Sequence, residues 1–447
     1  MLLTLFFLLP LQLLSVADAQ QGFNTSELLV NILDGPVLGH WAPHNLRWSP
    51  PDKPDAWTAA RNASRFGPAC YNAPLFDFEN FTPPAEESEG CVRYVAIPLR
   101  FGKRPLTSAE VVRQCVGALH IAPEEGGSEA AVMLWVYGGG FSFGGSYLPL
   151  YNGASFVRDQ DDVILVTFNY RLGLFGFPGV PGDGIYSDEK NLGLHDVRAA
   201  IEWTYDNIRA FGGDPKKITL FGESSGSAAT DAYLFSSASG PLTSGAILQS
   251  GTISIVDSAA GNHSAWANLT EALVCNSPMA SYAEVMCLRA YPELQLRDTV
   301  VKVQLTFGPV VDDSTVFSDA RERLEEGRFT RVPILIGSND EEILEGSLAT
   351  RNSFTCPAAR SARFHAMYGS EVAQIFGTFE QESALPEQKD SSRYIQGAWA
   401  AFAKDALNGL GKYWPSWDGE VIGEACIQQP PGATFTTPWN YESGCNF

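Results

Sequence analysis

Continuous apolar runs of strand length recur along the chain, and polar or glycine residues follow each of them. Three of these runs cover Ala131–Tyr137, Val163–Phe168 and Val332–Gly337. Runs that are apolar throughout, without polar alternation, are typical of parallel strands that are covered on both faces. A further apolar strand is predicted over Ile218–Phe221. The hydrophobic pattern therefore predicts several buried parallel strands.

Helical periodicity lies between these strands. Apolar residues recur with helical spacing over Leu194–Ile208. Buried strands that alternate with helices indicate a doubly wound α/β sheet, whose functional groups gather at the carboxyl ends of the strands. Polar segments follow three of those ends, at Gly138–Phe141, Asn169–Gly173 and Ser338–Glu342. We therefore expect the functional site at this edge of the sheet.

One predicted strand runs directly into Gly222-Glu223-Ser224-Ser225-Gly226, which has the form G-x-S-x-G. In a nucleophile elbow of this form, the serine lies on a strained turn between a strand and a helix, so the residues two positions away must lack a Cβ. The serine hydroxyl then projects from the sheet, and the next backbone N–H points at the developing oxyanion. We predict that Ser224 is a nucleophile and that Ser225 supplies one oxyanion donor.

Composition narrows the class of protein. A chain of 447 residues with 45% apolar residues can bury one large core, and no repeat, charge block or long linker divides it. We therefore expect a single domain over 20–447. A net charge of −21 argues against nucleic acid and anionic lipid surfaces as partners. Histidines and cysteines form no cluster with metal-ligand spacing, so we expect no metal and no other cofactor.

The N-terminus predicts export from the cell. The apolar run Leu2–Leu14 precedes Ala17-Asp18-Ala19, a small-x-small cleavage pattern, so residues 1–19 are interpreted as a secretory signal peptide. A membrane anchor is the competing interpretation, but the run is too short to span a bilayer, and we expect no stable membrane span. Cysteine pairing is permitted outside the cell. Glycosylation sequons, which indicate a secreted glycoprotein, occur at Asn24, Asn62, Asn80, Asn262 and Asn268.

Three motifs together resemble the type-B carboxylesterase/lipase family, the cholinesterase-like α/β-hydrolases, and its secreted microbial members in particular. The motifs are Gly138-Gly139-Gly140-Phe141, Asn169-Tyr170-Arg171-Leu172-Gly173 and the segment Phe211–Gly226. The resemblance implies an α/β-hydrolase fold, with a central, mostly parallel sheet flanked by helices. It also implies a small-molecule or lipid ester as substrate. The similarity extends over Gly138–Phe177, Asn191–Gly251, Phe307–Glu342 and Gly369–Asp405.

The resemblance also assigns roles to individual residues. The family's nucleophile matches Ser224, and its oxyanion donors match Gly139 and Gly140 beside Ser225. Backbone N–H groups of residues without a side chain can approach the tetrahedral oxygen closely, and each donor typically raises the rate by about 10²–10³.

The acid and the base of the expected triad lie further along the chain. The family register places the acid at Glu342, with Glu341 as the competing choice. The chain order in this fold is serine, acid, histidine, and among six histidines only His365 follows Glu342. Relatives place their histidine where Tyr368 stands here. Only 22 residues separate Glu342 from His365, which predicts that the helical subdomain inserted by relatives is shortened.

Further family features match cysteines and charged residues. The resemblance implies disulfides Cys275–Cys287 and Cys70–Cys91, with Cys115 as the alternative partner of Cys70. It also implies a buried ion pair between Arg171 and Asp196. The segment Val92–Val112 matches no family motif and is interpreted as additional chain. The pairing of the remaining cysteines stays open, as does the oligomeric state; these cysteines are Cys115, Cys356, Cys426 and Cys445.

The expected function is therefore a secreted carboxylic-ester hydrolase, in which Ser224, Glu342 and His365 form a triad and an acyl-enzyme intermediate. The alternative is a catalytically impaired or non-catalytic cholinesterase-like domain that serves binding or adhesion. The elbow and the oxyanion glycines favour the enzyme. The shifted histidine and the short segment before it favour the alternative.

Overall fold

The structure, a computed structural model, is built around a six-stranded sheet with strand order β1-β3-β2-β4-β5-β6. The last five strands of this order are mutually parallel, and β1 is antiparallel to β3. The strands are β1 (Tyr94–Ile97), β2 (Ala130–Val136), β3 (Val163–Phe168), β4 (Gly213–Glu223), β5 (Gly245–Gln249) and β6 (Ile334–Gly337). The residues that the structure describes are 47–51, 68–72, 87–88, 91, 94–97, 130–160, 162–181, 189–237, 240–253, 262–277, 281–338, 370–379, 384, 386–413, 424–427 and 433–436.

Helices flank the sheet. Helix Ser225–Ser236 packs on β4 and β5, and helix Pro386–Lys404 packs on β2, β3 and β4. A separate antiparallel hairpin is formed by β7 (Glu424–Ile427) and β8 (Ala433–Thr436). The remaining α-helices are Ala154–Asp159, Gly173–Gly176, Leu192–Asn207, Asn262–Ala272, Ser281–Arg289, Glu293–Val303, Ala320–Glu326 and Ser370–Phe376. Short 3-10 helices cover Pro149–Tyr151, Ile208–Phe211 and Gly409–Lys412.

The strands predicted from continuous apolar runs are confirmed. Every side chain of β2 and β3 is buried, as expected for strands that are covered on both faces. The predicted helix is also present, beginning at Leu192 and ending at Asn207. Strands β1 and β5 were not predicted. The segment Val92–Val112, interpreted as additional chain, contributes Tyr94–Ile97 to the main sheet as an edge strand.

The register of the sheet brings several strand ends together. Val136 of β2 pairs with Gly222 of β4, and Glu223 of β4 pairs with Gln249 of β5. Gln249 in turn pairs with Gly337 of β6. The segments that follow β2, β4, β5 and β6 therefore all leave the sheet at one edge. Strands β2 and β3 are likewise parallel, which confirms the expected shared edge for Gly138–Phe141 and Asn169–Gly173, whereas of Ser338–Glu342 only Ser338 is described.

Two hydrophobic clusters form the interior of the described part. The larger surrounds the sheet, where the Trp135 ring contacts the rings of Tyr151, Phe221 and Phe376 at centroid distances of 4.8–5.3 Å. The smaller lies among the helices between residues 262 and 303 and contains Trp266, Leu269, Val285, Leu288 and Leu296. Among the described residues, no helix has the length and apolarity needed to cross a membrane.

The expected ion pair is confirmed and ties two connections of the sheet together. Arg171 Nη2 lies 2.7 Å from Asp196 Oδ1, and Arg171 Nε donates to Asp196 Oδ2 at 2.8 Å. The Asp196 side chain is fully buried, and that of Arg171 is 12% exposed. A third donor of Arg171, Nη1, bonds the Ser49 carbonyl oxygen at 2.9 Å. The guanidinium therefore joins the loop after β3, helix Leu192–Asn207 and the segment 47–51.

Both expected disulfides are present. Cys70 and Cys91 are bonded across 21 positions of the chain, and Cys275 and Cys287 across 12. The first pair belongs to the cluster around the sheet, whereas Cys275 belongs to the helical cluster. Each disulfide thus fastens a different part of the molecule.

Candidate active site

Ser224 lies on a sharp turn between β4, which ends at Glu223, and a helix that begins at Ser225. Its backbone has φ 54° and ψ −125°, a conformation that residues other than glycine rarely adopt. Such strain typically costs about 1–3 kcal/mol and persists only where the surroundings enforce it. Here the Ser224 N–H donates to the Gln249 carbonyl at 2.8 Å, and the Ser224 carbonyl accepts from the Ala228 N–H at 3.0 Å. The turn is therefore held from both sides.

Close backbone approach explains the glycine after the serine. A Cβ on Gly226 would lie 2.0 Å from the Val136 carbonyl oxygen and 2.5 Å from that of Tyr137. A Cβ on Gly222 would lie 2.6 Å from the carbonyl carbon of Gly226. The start of the helix thus lies directly over the end of β2, so close that no side chain fits between them. The sequence-based expectation for these glycines is confirmed.

A glycine turn, residues 138–146, follows β2 beside the nucleophile. Its first residue lies so near Ser224 that a Cβ on Gly138 would come within 3.0 Å of the Ser224 Cβ. Gly139 has φ 114° and Gly140 has φ 59°, positive values that glycine adopts readily and other residues rarely do. The Gly139 carbonyl accepts from the Ser142 and Phe143 N–H groups at 3.0 and 3.1 Å.

The segments that carry the expected oxyanion donors therefore leave the sheet at the same edge, after β2 and β4. Within the described residues, no hydrogen bond uses the N–H groups of Gly139, Gly140 or Ser225. Acyl transfer needs fixed donors of this kind beside its nucleophile, because they stabilise the negatively charged tetrahedral oxygen.

Two buried tyrosines, Tyr137 and Tyr170, lie next to the elbow. Their rings stack at 4.5 Å, the Tyr170 hydroxyl donates to the Tyr137 carbonyl at 2.8 Å, and the Tyr137 hydroxyl donates to the Tyr170 carbonyl at 3.1 Å. Burial raises the pKa of both hydroxyls, and the negative charge of buried Glu223 raises the pKa of Tyr170 further. Both tyrosines are therefore neutral at physiological pH, so neither can act as a general base for Ser224.

The segment after β5 also supports the elbow, a role that was not predicted from the sequence pattern. A Cβ on Gly251 would lie 2.2 Å from the Ser224 carbonyl oxygen, and the Ser227 hydroxyl donates to the Gly251 carbonyl at 2.6 Å. The available signal was Gln249-Ser250-Gly251, a polar pair and a glycine directly after a short apolar run.

The remaining expected residues fall into two groups. Glu342, Glu341, His365 and Tyr368 lie outside the described residues, as do the sequons Asn24, Asn62 and Asn80. Asn262 begins a helix, and Asn268 on the same helix is exposed, as a glycosylation site requires. Among the six histidines, the structure describes the side chain of His195 alone, which lies next to the ion-paired Asp196 and whose pKa is lowered by burial.

Metal binding was not expected from the sequence. Among the described residues, no three or more His, Cys, Asp or Glu side chains are grouped so that they could hold an ion.

A strained serine between a buried strand and a helix, faced by a glycine turn at the carboxyl edge of a mostly parallel sheet, defines an α/β-hydrolase. The model of the carboxylesterase family matches residues 42–356. The chain therefore belongs to the carboxylesterase family and is a serine carboxylic-ester hydrolase by class.

Similar proteins include secreted lipase 5 of Gibberella zeae, which is 31% identical in an alignment of 505 positions that covers 91% of each chain. The para-nitrobenzyl esterase of Bacillus subtilis is 31% identical over 69% of this chain and 57% of its own length. The cholinesterase of Mus musculus is 32% identical over 67% of this chain and 47% of its own length. The chain thus spans about half the length of the last two relatives.

A solved structure of PNB esterase superimposes with a TM-score of 0.70. The match covers 90% of this chain and 93% of the other, at 24% identity. At this identity the likeness shows a shared fold, in agreement with the parallel sheet and flanking helices.

Proposed function

We propose that the protein is a secreted carboxylic-ester hydrolase of the esterase/lipase type, with Ser224, Glu342 and His365 as its triad. The observation that carries the proposal is the strained Ser224 turn beside the glycine turn. A binding domain has no need for a serine held at φ 54°, whereas a nucleophile elbow requires this strained backbone at its serine. The expected substrate is a small-molecule or lipid ester.

In this proposal Ser224 Oγ attacks the ester carbonyl while His365 accepts the hydroxyl proton. The N–H groups of Gly139, Gly140 and Ser225 stabilise the oxyanion. Collapse of the tetrahedral intermediate expels the alcohol, which takes the proton from His365, and water then releases the acid by the same route. Glu342 orients and stabilises the imidazolium.

The role of His365 is supported by exclusion as well as by chain order. An unperturbed serine is a poor nucleophile and needs a base within about 2.6–3.2 Å. Tyr137 and Tyr170 stay protonated, and His195 lies at the Arg171–Asp196 ion pair. The alignment with secreted lipase 5 spans 505 positions, more than the 447 residues of this chain, and therefore contains gaps in it. This chain therefore lacks segments that secreted lipase 5 possesses.

Hydrolysis of p-nitrophenyl butyrate tests the nucleophile. We expect Ser224→Ala to lower kcat by at least about 10³-fold, since triad residues act as a unit. Ser236→Ala is the matched control, because Ser236 ends the same helix and donates only to the Tyr233 carbonyl, at 3.2 Å. Equal turnover by Ser224→Ala and the wild type would refute the proposal. Absence of turnover in the wild type would favour a non-catalytic binding domain.

A second pair of variants tests the base. We expect His365→Ala to lower kcat strongly and Tyr368→Phe to lower it less. Unchanged turnover in His365→Ala would show that another group removes the proton.

Export is the second part of the proposal. Secreted lipase 5 is named for its secretion, and its similarity covers 91% of this chain, which also forms two disulfides. We expect a signal peptide over 1–19 and one catalytic domain over 20–447. N-terminal sequencing of protein from the culture medium tests this, with Gln20 expected as the first residue. Retention of the uncleaved chain in cells would contradict it.

A further inference from the structure

The glycine turn is held at its far end by a side chain from another part of the chain. The Gly144 N–H donates to Asn72 Oδ1 at 2.7 Å, across 72 positions of the sequence. Two residues later, the Ser146 N–H donates to Asn169 Oδ1 at 2.9 Å. Two asparagine carbonyls therefore fix the end of the turn that carries the expected oxyanion donors.

The far end of the turn packs on its beginning. Gly144 has φ 112°, and a Cβ there would lie 2.8 Å from the Gly138 carbonyl oxygen. A Cβ on Gly139 would lie 2.2 Å from the Phe143 carbonyl oxygen. A displacement of Gly144 must therefore displace Gly138 and Gly139, because backbone meets backbone with no side chain between them to adjust.

Asn72 is itself held in place by several contacts. Its Nδ2 donates to the Cys70 carbonyl at 2.7 Å, and its backbone N–H donates to Glu87 Oε1 at 3.0 Å. Cys70 is bonded to Cys91, and Glu87 is ion-paired with Arg297 on helix Glu293–Val303. Asn72 is 7% exposed. The amide is thus buried and oriented by a disulfide loop that is joined to the helical region.

We infer that Asn72 is a positioning residue for the oxyanion hole. Resting on the proposed function, the inference is that the Asn72 carbonyl holds Gly144 and thereby sets the direction of the Gly139 and Gly140 N–H groups. Those donors act mainly on the tetrahedral intermediate, so Asn72 should affect kcat much more than KM.

Steady-state kinetics, inhibition by a trifluoromethyl ketone and amide hydrogen exchange test this role. For Asn72→Ala we expect kcat to fall about 10–100-fold with KM within about twofold, and the affinity for the ketone to weaken by a similar factor. The ketone forms a tetrahedral adduct with serine and so reports on the oxyanion donors. Exchange at residues 138–146 should become faster.

Two further variants separate positioning from a general structural effect. Asn72→Asp keeps an acceptor for the Gly144 N–H but removes the donor to the Cys70 carbonyl. We therefore expect this variant to retain most of the wild-type kcat. Asn152→Ala removes an asparagine carbonyl that accepts from the Ala154 N–H at 3.0 Å, outside the site, so kcat and affinity for the ketone should stay at wild-type values.

Several results would overturn the inference. They are unchanged kcat and exchange in Asn72→Ala, or a lowered melting temperature with unchanged kcat. An inactive wild type would refute the proposed function instead, and the exchange of residues 138–146 would still decide whether Asn72 holds the turn.

Discussion

The sheet edge at Ser224 and the helices between residues 262 and 303 are both buried, but different contacts hold them. At the sheet edge, backbone packs on backbone: a Cβ on Gly226 would lie 2.0 Å from the Val136 carbonyl oxygen, and one on Gly251 would lie 2.2 Å from that of Ser224. In the helical region, side chains fill the space. The Trp48 and Trp266 rings meet edge to face at 5.5 Å, and Trp48 Nε1 donates to the Leu174 carbonyl at 2.9 Å.

The difference matters because the two kinds of contact tolerate change differently. Side chains in a hydrophobic cluster can adopt other rotamers and absorb a change of volume at moderate cost. Two backbones in direct contact have no such freedom, so any added atom moves the peptide groups themselves. Peptide N–H groups are the expected oxyanion donors, and misplacement by about 1 Å can cost about 10² in rate. Substitutions in the two regions should therefore have different consequences for catalysis.

The largest effect is expected for Gly226→Ala. The added Cβ would lie 2.0 Å from the Val136 carbonyl oxygen, so the elbow or the end of β2 must shift. We expect a loss of about 100-fold or more in kcat, together with a lower free energy of unfolding. Gly240→Ala is the matched control, because a Cβ there meets nothing within 4 Å. Wild-type kcat in Gly226→Ala would show that the two backbones are not in tight contact.

The buried ion pair of Arg171 and Asp196 should contribute mainly to stability. Asp196→Ala leaves the Arg171 guanidinium without its buried partner, and we expect unfolding in urea to show a loss of about 3–5 kcal/mol. The exposed pair of Arg198 and Glu202, at 3.7 Å, provides the comparison. Glu202→Gln should change stability by no more than about 0.5 kcal/mol. Similar losses in both variants would contradict the structural role given to Asp196.

How much of this could be predicted depends on whether the signal is local. Strands β2 and β3 and the elbow were predictable because their sequence signals are local. Burial on both faces gives a continuous apolar run, and the turn requires G-x-S-x-G. Strand β1 has no such pattern, and its place was set by pairing with β3. The contact between Asn72 and Gly144 could not be predicted, since many asparagines could cap a loop and nothing local selects this one. His365 was predicted from chain order, and it lies outside the described residues.

The two disulfides offer a direct comparison of the two regions. Removal of either should lower the free energy of unfolding by about 2–4 kcal/mol, because each restricts the unfolded chain. Only the pair at Cys70 and Cys91 supports Asn72, so its double serine variant should also have a lower kcat. The double serine variant of Cys275 and Cys287 should keep the kcat of the folded enzyme. Equal kcat in both variants would contradict the distinction.

The smallest effect concerns Asp231, a partly buried residue on helix Ser225–Ser236, which follows the nucleophile. Its carboxylate accepts from the Ile253 N–H at 2.8 Å. Burial raises the pKa of this carboxyl to about 6. The folded protein then binds a proton more tightly than the unfolded chain, so this group lowers stability as the pH rises from about 4 to about 6. Asp231→Asn should abolish that decline and stabilise the protein by about 1–2 kcal/mol at pH 7. Melting temperatures of both proteins across this range are the measurement, and parallel curves would contradict the shifted pKa.

Covalent labelling with a fluorophosphonate tests the central claim most directly, because the reagent reacts with an activated serine and requires no knowledge of the ester substrate. Intact mass and peptide mapping should show one adduct per chain, located on Ser224, and Ser224→Ala should remain unlabelled. The Ser236→Ala control should be labelled like the wild type. Absence of an adduct in the wild type, or an adduct that maps to Ser225 or persists in Ser224→Ala, would contradict the account.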